Sequence, residues 1–67
     1  MNIEKIIYAA TYAVGKRLDF ETLSYSDEMY GNEDFTDDVW EYVVECDDIG
    51  KDEFREKYSE YKFYCGF

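Results

Sequence analysis

Residues 36–47 read Thr-Asp-Asp-Val-Trp-Glu-Tyr-Val-Val-Glu-Cys-Asp, and this stretch decides the fold. Its apolar side chains recur at intervals of three and four residues, the period of one helix face, and they are Val39, Trp40, Val43 and Cys46. The acidic side chains keep helical spacing on the opposite side, so a helix is predicted, although the valines also favour a strand over 39–45. Thr36 is its predicted N-cap and Gly50 its predicted C-cap.

Two further amphipathic helices are predicted, one on either side of this stretch. The first covers residues 3–17, and its apolar face consists of Ile3, Ile6, Ile7, Ala10 and Val14. Gly15 is expected to weaken its last turn and to end it early. The other covers residues 52–62, with rings at helical intervals in Phe54, Tyr58 and Tyr61. Residues 63–67 are strongly apolar and are expected to pack back onto the helices.

The segment after the first helix is less regular, so residues 18–25 stay open between a short helix and an irregular segment. Its apolar residues, expected to reach the core, are Leu18, Phe20 and Leu23. A capping serine followed by two acids predicts a short helix over 26–30. The chain is therefore predicted to form one all-α domain over residues 1–67, a compact bundle of three to four short helices. The alternative is an α+β fold in which a short strand from 18–25 pairs with the C-terminal tail.

Four aromatic side chains have two possible roles each. Tyr8 and Tyr12 lie opposite the isoleucine face of the first helix and are expected to pack beneath the loop or the C-terminal tail. The alternative is an exposed patch, because tyrosine is enriched at binding hot spots. Phe35 and Trp40 flank the acidic side of the central helix. They are expected in the core, with an aromatic anchor for a partner as the alternative.

Charge is the second strong signal. The chain has 17 acidic and seven basic residues, for a net charge of −10, and residues 18–50 contain twelve acids with no lysine or arginine. Such a surface repels nucleic acid and anionic membranes and attracts basic proteins. The N-terminus fits neither a signal peptide nor a membrane span, so a cytoplasmic location is expected.

Six acids of the central segment fall within an arc of about 100° on the predicted helix. We call this set the acidic rail: Asp34, Asp37, Asp38, Glu41, Glu45 and Asp48. Several of its members are like charges four residues apart, which destabilises a helix by a few tenths of a kcal/mol per pair. The candidate partner-binding residues are this rail together with Asp27, Glu28 and Tyr30. The alternative is an acidic face that serves only solubility.

The sequence lacks the residues on which most catalytic and metal sites depend. It has no histidine and two distant cysteines, which excludes a His-based triad and argues against structural zinc. The loop from Asp27 departs from the calcium-loop pattern, because Met29 and Gly31 would fall at ligand positions. We therefore expect no enzyme activity, cofactor or metal. Cys46 and Cys65 are expected to be free thiols, with a bridge between them as the alternative.

In size, lone-domain organisation and acidic block Asp27–Asp48, the chain resembles the small phage-encoded inhibitors of host defence. That class includes anti-CRISPR and anti-restriction proteins, several of which imitate DNA. The resemblance is one of character and brings no site residue with it. It implies an inhibitor of a basic nucleic-acid-binding protein in a bacterial cytoplasm. Acidic antitoxins and nuclease immunity proteins look similar, and a further alternative is an interaction module or dimer held through Tyr8, Tyr12 and the aromatic tail.

Overall fold

The computed structural model describes residues 3–25 and 33–67, with side chains from residue 35 in the second range. Within these ranges it contains no strand, and its helices are α1 (Ile3–Lys16), α2 (Phe20–Ser24), α3 (Glu33–Ile49) and α4 (Lys51–Lys57). The predicted all-α bundle is confirmed, whereas the alternative with paired strands in 18–25 and the tail is wrong. The short helix predicted over 26–30 lies outside the described residues.

Helix α1 packs chiefly against α3. Its buried face is wider than the predicted stripe and consists of Ile6, Ile7, Ala9, Ala10, Thr11 and Ala13, while Ile3 at its start is exposed. Most of these small side chains join α2 and α3 in one apolar cluster that also contains Leu23, Val39 and Val43. A second cluster, around Phe54, holds Ile7, Cys46 and Phe67. The core therefore consists of two clusters, one beneath α3 and the other beneath the C-terminal residues.

Helix α1 does not end early at Gly15. It ends at Lys16, followed by Arg17 in the left-handed region at φ 57°. The Leu18 N–H donates to the Ala13 carbonyl at 2.9 Å and the Arg17 N–H to the Val14 carbonyl at 3.2 Å, which is the Schellman pattern. Gly15 has a packing role instead, because a Cβ there would lie 3.0 Å from the Gly66 carbonyl oxygen.

Residues 18–25 contain the one-turn helix α2, which their apolar spacing alone left undecided. The Asp19 carboxylate caps it by accepting a hydrogen bond from the Thr22 N–H at 2.7 Å, and the hydrogen bonds from the Thr22 side chain and backbone lower the pKa of Asp19. Leu23 is fully buried as expected, and Leu18 packs against the same cluster. Phe20, however, remains 42% exposed, so its expected burial in the core is wrong.

Helix α3 begins three residues before the predicted cap. Thr36 lies inside the helix and is buried, in line with Val39 and Val43 on the face that meets the core. The N-cap prediction for Thr36 is therefore wrong, and so is the competing strand over 39–45. Glu33 and Asp34 form the start of the helix in the structure.

Gly50 ends α3, as predicted. Its φ of 91° is the left-handed conformation that glycine adopts without cost, and its N–H donates to the Cys46 carbonyl at 2.8 Å. The next helix, α4, ends at Lys57 and not at residue 62. Tyr61 lies beyond the helix in a tight turn, where its N–H donates to the Tyr58 carbonyl at 3.0 Å. This turn brings the following residues back over Phe54.

The C-terminal tail packs onto the helices as expected. The Tyr64 N–H donates to the Thr11 hydroxyl at 2.9 Å, which ties the tail to α1. The Tyr64 ring meets Tyr8 and Tyr12 edge-on, with centroids 6.3 and 5.0 Å apart. Phe67 is buried beside Phe54. The prediction that Tyr8 and Tyr12 pack beneath the tail is confirmed.

Candidate protein-binding face of α3

The outward face of α3 is the candidate site, and its position follows from the buried stripe on the other side. Four buried side chains spaced three and four residues apart fix the helix against the core, and they are Thr36, Val39, Val43 and Cys46. The acidic rail lies opposite this stripe. Asp37, Glu41 and Asp48 are exposed, whereas Asp38 and Glu45 are partly buried.

The side chains of four predicted partner-binding residues lie outside the described part of the structure. Asp27, Glu28 and Tyr30 lie outside the described residues. Asp34 belongs to the first turn of α3, but its side chain also lies outside the described part. The described rail therefore consists of Asp37, Asp38, Glu41, Glu45 and Asp48.

Glu45 differs from the other described rail residues because it is bound within the molecule. The Lys57 ammonium donates to its carboxylate at 3.2 Å, and the Tyr58 hydroxyl donates to its other oxygen. The bond to Glu45 raises the pKa of Lys57. Burial, followed by the same carboxylate, raises the pKa of Tyr58. Glu45 therefore joins α3 to the end of α4 and offers less free charge to a partner.

Three basic side chains, those of Lys16, Lys51 and Arg55, lie against C-terminal aromatic rings, whereas Lys57 pairs with Glu45 of the rail. The Lys51 ammonium and the Arg55 guanidinium lie over the Phe67 ring, 5.6 and 5.0 Å from its centroid. Lys16 lies 5.9 Å from the centre of the Tyr64 ring. Within the described residues, the salt bridge of the rail is the one at Glu45. Asp37, Glu41 and Asp48 are exposed and form no salt bridge within that part of the chain.

Beside the rail lies a set of apolar side chains that the sequence did not identify as a surface. We call it the apolar patch: Phe20, Trp40 and Val44. Trp40 is partly buried and packs against the first cluster, so its expected core contact is only partial. Phe20 and Val44 are 42% and 52% exposed. The Phe20 ring stands edge-on to Trp40 with centroids 5.7 Å apart, a contact between distant segments that no local pattern indicates.

The two cysteines are separate and free. Cys46 is buried between α3 and the second cluster, and this burial raises the pKa of its thiol. Cys65 is exposed in the tail. The alternative prediction of a disulfide between Cys46 and Cys65 is therefore wrong.

The described residues include no group of three or more histidine, cysteine or acidic side chains arranged to hold a metal ion. None of the helices there has both the length and the apolar character needed to cross a membrane. Comparison of the chain with protein-family models, curated proteins and solved structures found no match. The functional interpretation therefore depends on the geometry of α3.

Proposed function

We propose that this protein is an acidic inhibitor that binds the positively charged nucleic-acid site of a host DNA- or RNA-binding protein or nuclease, in the manner of a DNA mimic. The acidic rail of α3 is the contact surface. The bound partner would lose access to nucleic acid because the rail occupies the same basic cleft. Antitoxins and nuclease immunity proteins act on the same chemistry and differ by their biological setting.

One observation supports this proposal most strongly: the exposed rail carboxylates of Asp37, Glu41 and Asp48 occupy one helix face and form no salt bridge within the described residues. Asp37 and Glu41 lie four residues apart, about 6 Å along the helix axis. Such like charges weaken the helix, whereas lysine at either position would strengthen it. The chain has bases, but Lys51 and Arg55 lie over an aromatic ring at the other end of the core. A carboxylate array held this way matches a cleft lined with lysine and arginine.

The competing module held through Tyr8, Tyr12 and the tail has less support. These tyrosines already contact Tyr64 within the same chain, and the Tyr64 backbone is bonded to Thr11. The Tyr64 ring therefore already covers part of the Tyr8 and Tyr12 rings. A partner that needed them would have to displace the tail.

Affinity capture at low salt, with elution by increasing salt, tests the proposal. The rail variant Asp37→Asn/Glu41→Gln/Asp48→Asn removes three exposed charges from α3. Its matched control, Asp52→Asn/Glu56→Gln, removes an exposed pair with the same four-residue spacing from α4. We expect the wild type and the control to retain a nucleic-acid-binding protein that moderate salt releases, and the rail variant to lose it. Equal retention by all three proteins would overturn the proposal.

A further inference from the structure

The apolar patch and part of the acidic rail form one continuous stripe on α3. Asp37, Trp40, Glu41 and Val44 are spaced at i, i+3, i+4 and i+7, so they lie on the same helix face. Phe20, from α2, extends this stripe by its edge-on contact with Trp40. Carboxylates and apolar surface are therefore presented side by side, which a purely electrostatic rail does not require.

The exposure of this stripe has no role in folding that the structure shows. Phe20 and Val44 leave about half of their surface in water, although the chain has a buried core to which both could contribute. Contiguous apolar surface that is exposed and rimmed by polar residues marks protein-binding sites, and tryptophan is a frequent anchor there.

We infer that this stripe is a docking site for an arginine-bearing segment of the basic partner. An arginine guanidinium can stack on an aromatic ring and donate two parallel hydrogen bonds to one carboxylate, while its methylene groups cover apolar surface. Glu41 and Val44 are exposed and the partly buried Trp40 lies beside them, so the three residues offer these surfaces together. A lysine ammonium would satisfy the carboxylate as a point charge and gain less from the ring. The inference rests on the proposed function, because it specifies how the same face recognises its partner.

Charge favours this occupant over the others. A second copy of the chain would bring Asp37 and Glu41 close to like charges across a symmetric contact, and a nucleic-acid strand would be repelled by the net charge of −10. The chain itself contains the same kind of contact, since the Arg55 guanidinium lies 5.0 Å from the centre of the Phe67 ring.

Trp40 is the only tryptophan of the chain, so its fluorescence reports directly on this stripe. We would titrate the protein with octaarginine and with octalysine at equal ionic strength. We expect saturable changes in Trp40 emission and an affinity about fivefold higher for the arginine peptide. Val44→Ala and Phe20→Ala should bring the two affinities close together. Ile3→Ala, which alters an exposed apolar side chain of α1, should leave the preference unchanged.

Equal affinities for the two peptides in the wild type would overturn the inference, as would a preference that survives in both patch variants. Val44→Ala keeps the test valid if Phe20→Ala fails to fold, because alanine is a strong helix former. Asp37→Asn/Glu41→Gln separates the two claims. If the double variant binds both peptides more weakly by the same factor, and the wild type has no preference for arginine, the result supports the rail as a contact surface and contradicts the arginine docking site. If the double variant binds both peptides as tightly as the wild type, the result contradicts the proposed function. Sedimentation equilibrium showing a dimer that Val44→Ala dissociates would also overturn the inference.

Discussion

Charged side chains are arranged differently on the outward face of α3 and in the C-terminal region. In the C-terminal region, Lys57 pairs with Glu45, and Lys51 and Arg55 lie over the ring of Phe67. On α3, Asp37 and Glu41 face solvent with like charges one turn away. The first region uses charge to support packing, whereas the second holds charge at a cost to helix stability. The difference separates the part of the molecule that maintains the fold from the part available to a partner.

The largest expected effect is in the C-terminal region. Phe54 is fully buried and packs against Tyr58, Phe63 and Phe67, so Phe54→Ala should lower the free energy of unfolding by about 3–5 kcal/mol. A domain of this size has only a few kcal/mol of stability, so the variant should be largely unfolded. Urea denaturation followed by far-ultraviolet circular dichroism measures the change.

The matched control for Phe54→Ala is Phe20→Ala in the apolar patch. Phe20 is 42% exposed, so its truncation should lower the free energy of unfolding by about 1 kcal/mol or less. If both variants were equally destabilised, the division between a region that maintains the fold and the proposed binding face would be wrong.

Glu45 marks the boundary between the two regions, and its removal gives the next largest effect. Glu45→Ala deletes the acceptor of both Lys57 and Tyr58 and should lower the free energy of unfolding by about 1 kcal/mol. Glu41→Ala removes the same side chain one turn earlier, where it has like charges as neighbours, and should leave stability unchanged or slightly raised. Thermal denaturation of the two variants side by side distinguishes them. Equal losses would contradict the separate role assigned to Glu45.

Alkaline pH should weaken the contacts that Tyr58 and Lys57 make in the C-terminal region. The folded-state pKa values of Tyr58 and Lys57 are raised, so both groups bind their protons more tightly in the folded protein. Their contribution to stability is complete below their unfolded pKa values, near pH 10, and is lost as pH rises through the folded values. Unfolding measured at several pH values should therefore show an alkaline decline that Tyr58→Phe reduces. Tyr25→Phe, at an exposed position, is the control and should retain the full decline.

The smallest expected effect has the opposite sign and lies on the rail. Glu41→Gln removes a charge next to Asp37 and Glu45 without changing side-chain size, and should raise the free energy of unfolding by about 0.2–0.5 kcal/mol. Added salt should give part of the same gain to the wild type by screening the repulsion. Chemical denaturation with urea, which adds no ions, can resolve the difference. A loss of stability in Glu41→Gln would show that this carboxylate supports the fold.

Local patterns were sufficient for the fold class and for the direction that each main helix faces. The spacing of Ile6, Ala10, Val39 and Val43 predicted the surfaces that meet in the core, because helical periodicity depends only on nearby residues. The same reasoning placed Asp37 and Glu41 on the solvent side. The buried position of Thr36 was missed, since its short polar side chain resembles a cap in sequence and fills a core position in the folded helix.

What the sequence could not predict depends on contacts between distant segments. The end of α4 at Lys57 follows from the turn that brings the C-terminal rings over Phe54. The pairing of Glu45 with Lys57 and the contact of Phe20 with Trp40 join residues far apart in the chain. The spacing of residues along the chain does not reveal such contacts, so Glu45 was predicted to act with the other rail residues.

The most direct test of the central claim is displacement of nucleic acid from the captured partner, followed by the anisotropy of a fluorescent oligonucleotide. The wild type and Asp52→Asn/Glu56→Gln should displace the oligonucleotide with equal potency that falls steeply with added salt. The rail variant Asp37→Asn/Glu41→Gln/Asp48→Asn should require at least about tenfold more protein, the loss expected if neutralisation costs roughly 1.4 kcal/mol of binding free energy. Equal displacement by the rail variant, or displacement insensitive to salt, would contradict the account.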